Sequence, residues 1–371
     1  MDDTLKKTPL YNLHLRHGAK MVDFAGYRMP IQYTGIIEEH NVVRSGVGLF
    51  DLSHMGEFVV VGEGASAFLQ RMTTNDVSQI EIGQAQYTAV CNERAGILDD
   101  CVVYRFEDRY LLIVNASNIE KDFNWFESHL ADDVSLTDRS DDYSLVAVQG
   151  PRSRELLLMA ADEESEISSL QFYRHCNATI GGVEVICART GYTGELGYEL
   201  YIEGEGADRV WTALSEQEVD FEVKPVGLGA RDTLRMEMKY CLYGNDIDEG
   251  TNPLEANLGW ITKLDNNDFI GKDALVEIKS NGVERKLVGI EINGRGIARH
   301  GYEVLANGTV VGDVTSGTHS PSLGKSIGMA YVESHCAAIG QELTINSRGR
   351  QLEATVVKTP FWKKGTSAQK V

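Results

Sequence analysis

Asn92-Glu93-Arg94-Ala95-Gly96-Ile97-Leu98-Asp99-Asp100-Cys101 lies between two strand-like runs, Gln86 to Val90 and Cys101 to Phe106. Asn92 and Gly96 mark the turn between them. A third run, Tyr110 to Asn115, follows closely, so the stretch predicts an antiparallel meander. Two adjacent carboxylates open the second strand. Side chains alternate faces along a strand, so Asp99 and Asp100 point in opposite directions. If one face is buried, one acid is held away from bulk water, which is what perturbs a carboxylate. A solvated turn acid beside a strand-starting acid is the plain alternative.

Upstream, Phe58-Val59-Val60-Val61 is a strand, Gly62-Glu63-Gly64 a turn, and Ala65 to Met72 a helix burying Phe68, Leu69 and Met72. The same order recurs downstream, with Tyr198 to Ile202 as strand, Gly204-Glu205-Gly206 as turn and Ala207 to Leu214 as helix. Two copies of one strand–turn–helix unit suggest related α+β lobes. Asn118 to Leu130 reads as an amphipathic helix. Cys176 to Ile180 and Val183 to Arg189 form a hairpin about Gly181-Gly182. Ala230 to about Tyr240 is a helix, and Thr8-Pro9 starts another with Thr8 as N-cap. There is no long βα alternation, which argues against a doubly wound parallel sheet. Beyond Lys279 the runs Lys286–Ile292, Tyr302–Leu305, Thr309–Thr315, Ile327–Val332, Glu342–Ser347 and Gln351–Lys358 are short strands with glycine turns. They indicate a small β-barrel or jelly roll. Asn266 to Lys279 is the expected join, dividing the chain into 1–278 and 279–371.

With 35 basic and 55 acidic residues the formal charge is −20. That argues against a general affinity for nucleic acid or anionic membrane, since phosphate neutralisation needs a basic face. No run approaches the roughly 20 apolar residues of a membrane span. The start, Met1 to Lys7, leads into no apolar segment and lacks a transit peptide's Arg-rich bias. A bacterial cytoplasmic protein, or a mature organellar (mitochondrial) form, is expected. The six cysteines show no C-x-x-C spacing and read as reduced, mostly buried thiols.

The chain lacks a G-x-G-x-x-G between strand and helix, a P-loop, an H-E-x-x-H and a G-x-S-x-G. His14 and His17 stand three apart without an acidic or thiol partner, and no metal is expected. The densest candidate is Arg189-Thr190-Gly191-Tyr192-Thr193-Gly194-Glu195-Leu196-Gly197-Tyr198-Glu199. It is either a tyrosine-rich turn or a segment that holds Glu199 rigidly at a strand start. A carboxylate there can take two parallel hydrogen bonds, from a guanidinium or from a pterin's ring N–H and amino group. Arg231 and Arg235, four apart on a helix, face one side. His54 has no nucleophile to activate. Trp260 and Trp362 are aromatic positions that either pack or stack on a flat ring.

Together with Met21 to Gly26, Phe50-Asp51-Leu52-Ser53-His54-Met55, Ala147 to Pro151, Leu242-Tyr243-Gly244, Thr315 to Pro321 and Lys358 to Phe361, these segments resemble the aminomethyltransferase (T protein) family of the glycine cleavage system. Their order covers almost the whole chain. The resemblance implies an α+β, three-lobed fold: two interleaved α+β lobes with antiparallel sheets and a C-terminal β-barrel, around a central folate cavity. It implies transfer of an aminomethyl carbon from the lipoyl arm of the H protein to tetrahydrofolate, with release of ammonia, by a monomeric enzyme. It makes Asp99 the catalytic carboxylate. Glu199 would hold the pterin edge and Arg231 would fix the folate. Tyr87, Tyr192 and Trp260 would contact the rings, and Val114 and Asn115 would line the cavity. Arg299 and the end of the chain would border the lipoyl entry or the folate's glutamate tail, and Arg299 and Met55 are the candidate substrate-binding residues.

The chain departs from the family pattern at Ala95, where a second glycine is usual, and at Met236-Glu237-Met238-Lys239. Its strongly acidic charge is also unusual for a protein that docks an acidic partner. Two other readings share the scaffold: a tetrahydrofolate-dependent demethylase, and a non-catalytic folate-binding scaffold of the iron–sulfur maintenance type.

Overall fold

The computed structural model describes residues 4–162, 166–265 and 268–369. The expected meander is part of a five-stranded antiparallel sheet, in the order Gln84–Cys91, Ile97–Arg105, Tyr110–Val114, Gly56–Val61, Ser135–Asp138. A six-stranded sheet runs His175–Ile180, Val183–Ala188, Gly197–Glu203, Tyr143–Gln149, Val47–Asp51, Val223–Pro225, with only the last pair parallel. The chain enters the second sheet at Val47, leaves it to build the whole of the first, and returns at Tyr143. The two α+β lobes are therefore interleaved in sequence.

Each sheet is closed on its outer face by helices. Ala65–Met72 and Ile119–Ser128 bury Phe68, Leu69, Met72 and Phe126 against Phe58, Val60, Val103 and Leu112. Ser153–Ala160 and Ala207–Ser215 do the same for the other sheet with Leu156, Leu157, Val210, Trp211 and Leu214. Burying each such side chain contributes about 1.5–3 kcal/mol. The inner faces meet through Phe50, Leu52, Tyr104, Leu111, Leu145 and Tyr201. The repeated strand–turn–helix unit occupies one place in each lobe. Its first turn needs glycine: Gly62 has φ +126°, and a Cβ there would lie 2.0 Å from the Asp133 carbonyl oxygen.

Residues 285–357 form a closed barrel in the order Arg285–Ile292, Lys325–Glu333, Thr309–Ser320, Glu303–Ala306, Glu342–Ser347, Arg350–Val357. Helix Leu228–Met238 joins barrel to lobes. Its Arg235 donates to Asp246 at 2.6 Å and to Ser316 of the barrel at 3.0 Å. The unusual run after Arg235 has a structural reason. Glu237 is fully buried, pairs with Arg44 at 2.7 Å, and accepts from Ser320 at 2.5 Å. Lys239 then ends the helix in the left-handed region at φ 58°, two residues short of the expected end. The C-terminal segment returns to the lobes, where Ser367 N donates to Gly194 O at 3.1 Å and buried Arg189 donates to the Ser367 and Gln369 carbonyls.

Thr8 is not an N-cap. The helix is Tyr11–Arg16, and the Thr8 hydroxyl donates to Asp51 at 2.6 Å. His14 is a packed histidine between Asp51, at 2.8 Å, and the Tyr33 hydroxyl, at 2.9 Å. All six cysteines are free and buried. Among the described residues no helix is long and apolar enough to cross a membrane. The start of the expected join, at Asn266, lies outside the described residues; its helix, Lys272–Asn281, precedes the barrel.

Candidate active site

The Asp99-Asp100 pair divides between the two faces of its strand, but not in the expected sense. The pairing with Gln84–Cys91 slips by one residue: Asp99 lies opposite Val90 and Ile97 opposite Cys91. This bulge sends Leu98 to the outer core beside Phe58 and Phe126. Asp99 follows it to the outer side, beneath helix Ile119–Ser128. Asp99 is 0 % exposed and accepts from Asn115 N at 3.0 Å, Asn115 Nδ2 at 2.7 Å and Asn118 Nδ2 at 2.7 Å. Asp99 was expected to face the cavity; the acid that does so is Asp100. The physical reason is that both faces of this strand are buried, so an alternating pattern separates the two acids without saying which side is hollow.

Asp100 points inward with Val102 and Tyr104. Tyr87 Oη donates to it at 2.8 Å and Asn115 Nδ2 at 2.9 Å. Burial first, and then the charge of Asp99, push its carboxyl up to about 7. Opposite, on the facing sheet, Tyr198 and Leu200 enter the outer core while Glu199 and Tyr201 turn inward. Thr190 Oγ1 donates to Glu199 at 2.5 Å, and Thr190 is itself 3.2 Å from Tyr104 Oη. Burial raises Glu199, with Thr190 and Arg231 opposing. The Arg231 guanidinium lies 4.7 Å over the Tyr192 ring, and burial lowers its pKa. Tyr192 stacks on Tyr240 at 5.6 Å and 26°, and its hydroxyl donates to the Cys241 carbonyl.

Desolvation is the largest influence on Asp100, Glu199, Arg231, Tyr87 and Tyr192, so protein surrounds each of them. All five nonetheless keep accessible surface, which Asp99 lacks. Groups that are deep and accessible at once line a concavity. Among the described residues the Arg231 guanidinium has no hydrogen-bond or ion-pair partner, so its five N–H donors are free for an acceptor within that concavity. An acid near its half-charged point, a second carboxylate, a free guanidinium and flat rings suit a heteroaromatic ligand with a donor edge that undergoes proton transfer.

The other expected residues divide. Asn115 bridges the two acids. Trp260, 62 % exposed, lies at the rim with its ring 5.9 Å from that of Tyr87 at 31°. Met55 packs at the edge of the inter-sheet cluster. Val114, expected to line the cavity, does not do so with its side chain, which is 0 % exposed in the outer core and leaves only its backbone to serve the cavity. Arg299 is exposed on a barrel loop, outside the group around Asp100. His54 is buried against the Phe24 and Tyr27 rings, and burial lowers it to about 4, so it stays neutral. Residues missed from the sequence include Asp100 and Thr190. A separate hollow of about 400 Å³ under the C-terminal segment, lined by Gly194, Met238 and Trp362, holds none of these groups. Among the described residues no cluster of three or more His, Cys, Asp or Glu is placed to hold a metal.

Residues 10–266 match the GCVT N-terminal domain, and residues 285–363 match the glycine cleavage T-protein C-terminal barrel domain. The chain belongs to the glycine cleavage T-protein family. It is 51 % identical to the aminomethyltransferase of Halothermothrix orenii, over 96 % of this chain and 100 % of the relative. It is 52 % identical to that of Chloroherpeton thalassium, over 96 % and 99 %. The crystal structure of the glycine cleavage system aminomethyltransferase T from Bartonella henselae superposes with a TM-score of 0.90 at 34 % identity, covering 99 % of each chain. At this identity and coverage the T-protein fold and the aminomethyltransferase activity are those of this chain.

Proposed function

We propose that the chain moves the methylene carbon of an aminomethyl group, carried on the dihydrolipoyl arm of the H protein, to tetrahydrofolate. The products are methylene-tetrahydrofolate, the dihydrolipoyl arm and ammonia. The observation that carries this reading is the placement of Asp100, deep yet accessible, across the cavity from Glu199 and the unpaired Arg231. In it Asp100, not Asp99, is the catalytic carboxylate. With its carboxyl near 7, Asp100 is available both to accept a proton from an attacking ring amine and to return one to the departing ammonia. As an anion it also stabilises an iminium-like carbon.

Glu199 takes the donor edge of the pterin, and Arg231 takes an oxygen acceptor of the folate. Tyr87, Tyr192 and Trp260 supply ring contacts, and Asn115 orients Asp100. Met55 and Arg299 serve the lipoyl side, Arg299 from the barrel loop where His300 contacts Thr315 O at 2.8 Å. The reading carries with it a monomer in the bacterial cytoplasm, built of units 1–278 and 279–371. The test is to mix the protein with aminomethylated H protein and tetrahydrofolate and measure ammonia. Release that is abolished by Asp100→Asn and largely kept by Asp99→Asn supports the reading. Folate binding without ammonia from the unaltered chain overturns it.

A further inference from the structure

Behind Asp100 lies a second acidic cluster that the transfer chemistry does not use. Asp122, on helix Ile119–Ser128, is 1 % exposed and faces Asp99 within hydrogen-bonding reach. Neither of its oxygens receives an N–H or O–H from any described group. Two ionised carboxylates cannot be held face to face in a site closed to water without a donor between them. A carboxylate has about four acceptor positions. Asp99 fills three with amide hydrogens, two from Asn115 and one from Asn118. The charge therefore belongs on Asp99, and its remaining position is open to a donor from Asp122. We infer that Asp122 is a protonated acid donating to Asp99, and that this singly charged pair, acting through Asn115, holds Asp100 in its orientation toward the cavity.

The path of contacts is short. Asn115 Nδ2 reaches Asp99 Oδ1 at 2.7 Å and Asp100 Oδ1 at 2.9 Å. One amide group thus ties the buried pair to the cavity acid. If Asp122 were ionised, repulsion would part the helix from the strand and loosen Asn115, leaving Asp100 held only by Tyr87. Asp122 is a positioning residue, with no path of its own to the cavity. The other ionisable groups around the pair are Asp100 and Cys101 on the strand, Lys121 on the helix, and Tyr243, Asp248 and Glu249 on the loop packed against them. Lys121 is engaged with Leu98 O at 2.6 Å and Tyr243 Oη at 2.7 Å, rather than with either acid. Burial, then the charge of Asp99, raises Asp122, in keeping with the proton count.

The test compares unfolding of the full chain with that of Asp122→Asn. Above the ordinary aspartate value of about 4, unfolding the unaltered chain releases the Asp122 proton to water, whereas the amide has none to release. The ratio of the two unfolding constants should therefore grow by about tenfold per pH unit between about pH 5 and pH 9. A ratio independent of pH overturns the protonated pair. The second arm rests on the aminomethyl-transfer reading. Asp122→Leu, which removes the donor, should lower kcat by about tenfold to a hundredfold with little change in KM for tetrahydrofolate. Asp122→Asn, which supplies an N–H donor, should restore most of the loss. Equal kcat in the two variants overturns the positioning role. If the unaltered chain shows no turnover, the transfer reading fails while the unfolding comparison still decides the proton.

Discussion

The two faces of the Ile97–Arg105 strand carry adjacent aspartates with opposite fates. Beneath the outer face a helix closes down, water is excluded, and Asp99 takes three amide donors. On the inner face Asp100 keeps accessible surface and has two donors, Tyr87 and Asn115. The difference lies in what each face packs against. A buried acid becomes a scaffold when donors fill its acceptor positions, and a reactive group when some are left open.

The largest expected effect breaks this comparison directly. Asp100→Asn should lower kcat by about 100- to 10,000-fold, the usual contribution of a positioned acid or base, with tetrahydrofolate affinity nearly intact. Asp99→Asn should cost far less in kcat and show chiefly as lost stability in a denaturant titration. Equal kcat losses would erase the distinction between the faces. Next, Glu199→Ala removes the carboxylate that faces Asp100 from the other sheet. Losing a charge-assisted hydrogen-bond partner, about 1.5–3 kcal/mol, should weaken tetrahydrofolate binding by about 10- to 150-fold by calorimetry. An unchanged dissociation constant would remove Glu199 from the site.

The pH dependence sharpens the same contrast. As a base near 7, Asp100 should make kcat/KM rise with pH and level off above about 7. Its raised native pKa also means that the folded chain binds this proton more tightly than the unfolded one. Asp100→Asn should therefore become progressively more stable, relative to the unaltered chain, from about pH 4 to pH 7. A flat rate profile would overturn the assignment. The smallest effect belongs to Ala95, in the turn that leads into the strand. Its φ of +67° is strained for alanine by about 1–2 kcal/mol. Ala95→Gly relieves that strain but gives up a buried methyl, about 0.8 kcal/mol, and adds about 0.4–1 kcal/mol of unfolded-chain entropy. The melting temperature should barely move, and a large shift either way would show that the turn strains the strand.

Much of this fold was legible because its signals are local. Alternation and glycine turns placed the meander, the Gly181-Gly182 hairpin and the barrel strands, and the doubled Gly-Glu-Gly-Ala turn marked two related lobes. The strand that carries Glu199 was also legible, from the glycines that lead into it. Val114 was not, because Tyr110 to Val114 is buried on both faces and an all-apolar run has no readable side. Thr8 failed similarly: a hydroxyl before a proline suits a cap, but Asp51, forty-three residues away, offered it a buried charge.

The sequence by itself determined that Asp99 and Asp100 must part, because a strand has a period of two. It also determined that a glycine- and tyrosine-rich segment presents a carboxylate, and that the chain ends in a barrel. Only the tertiary structure decided which acid meets the cavity. That choice depends on the one-residue slip opposite Val90 and Cys91, and on a helix rather than a hollow lying over Asp99. Both are set by packing between segments distant in sequence, and periodicity along one strand carries no record of what its two faces will touch.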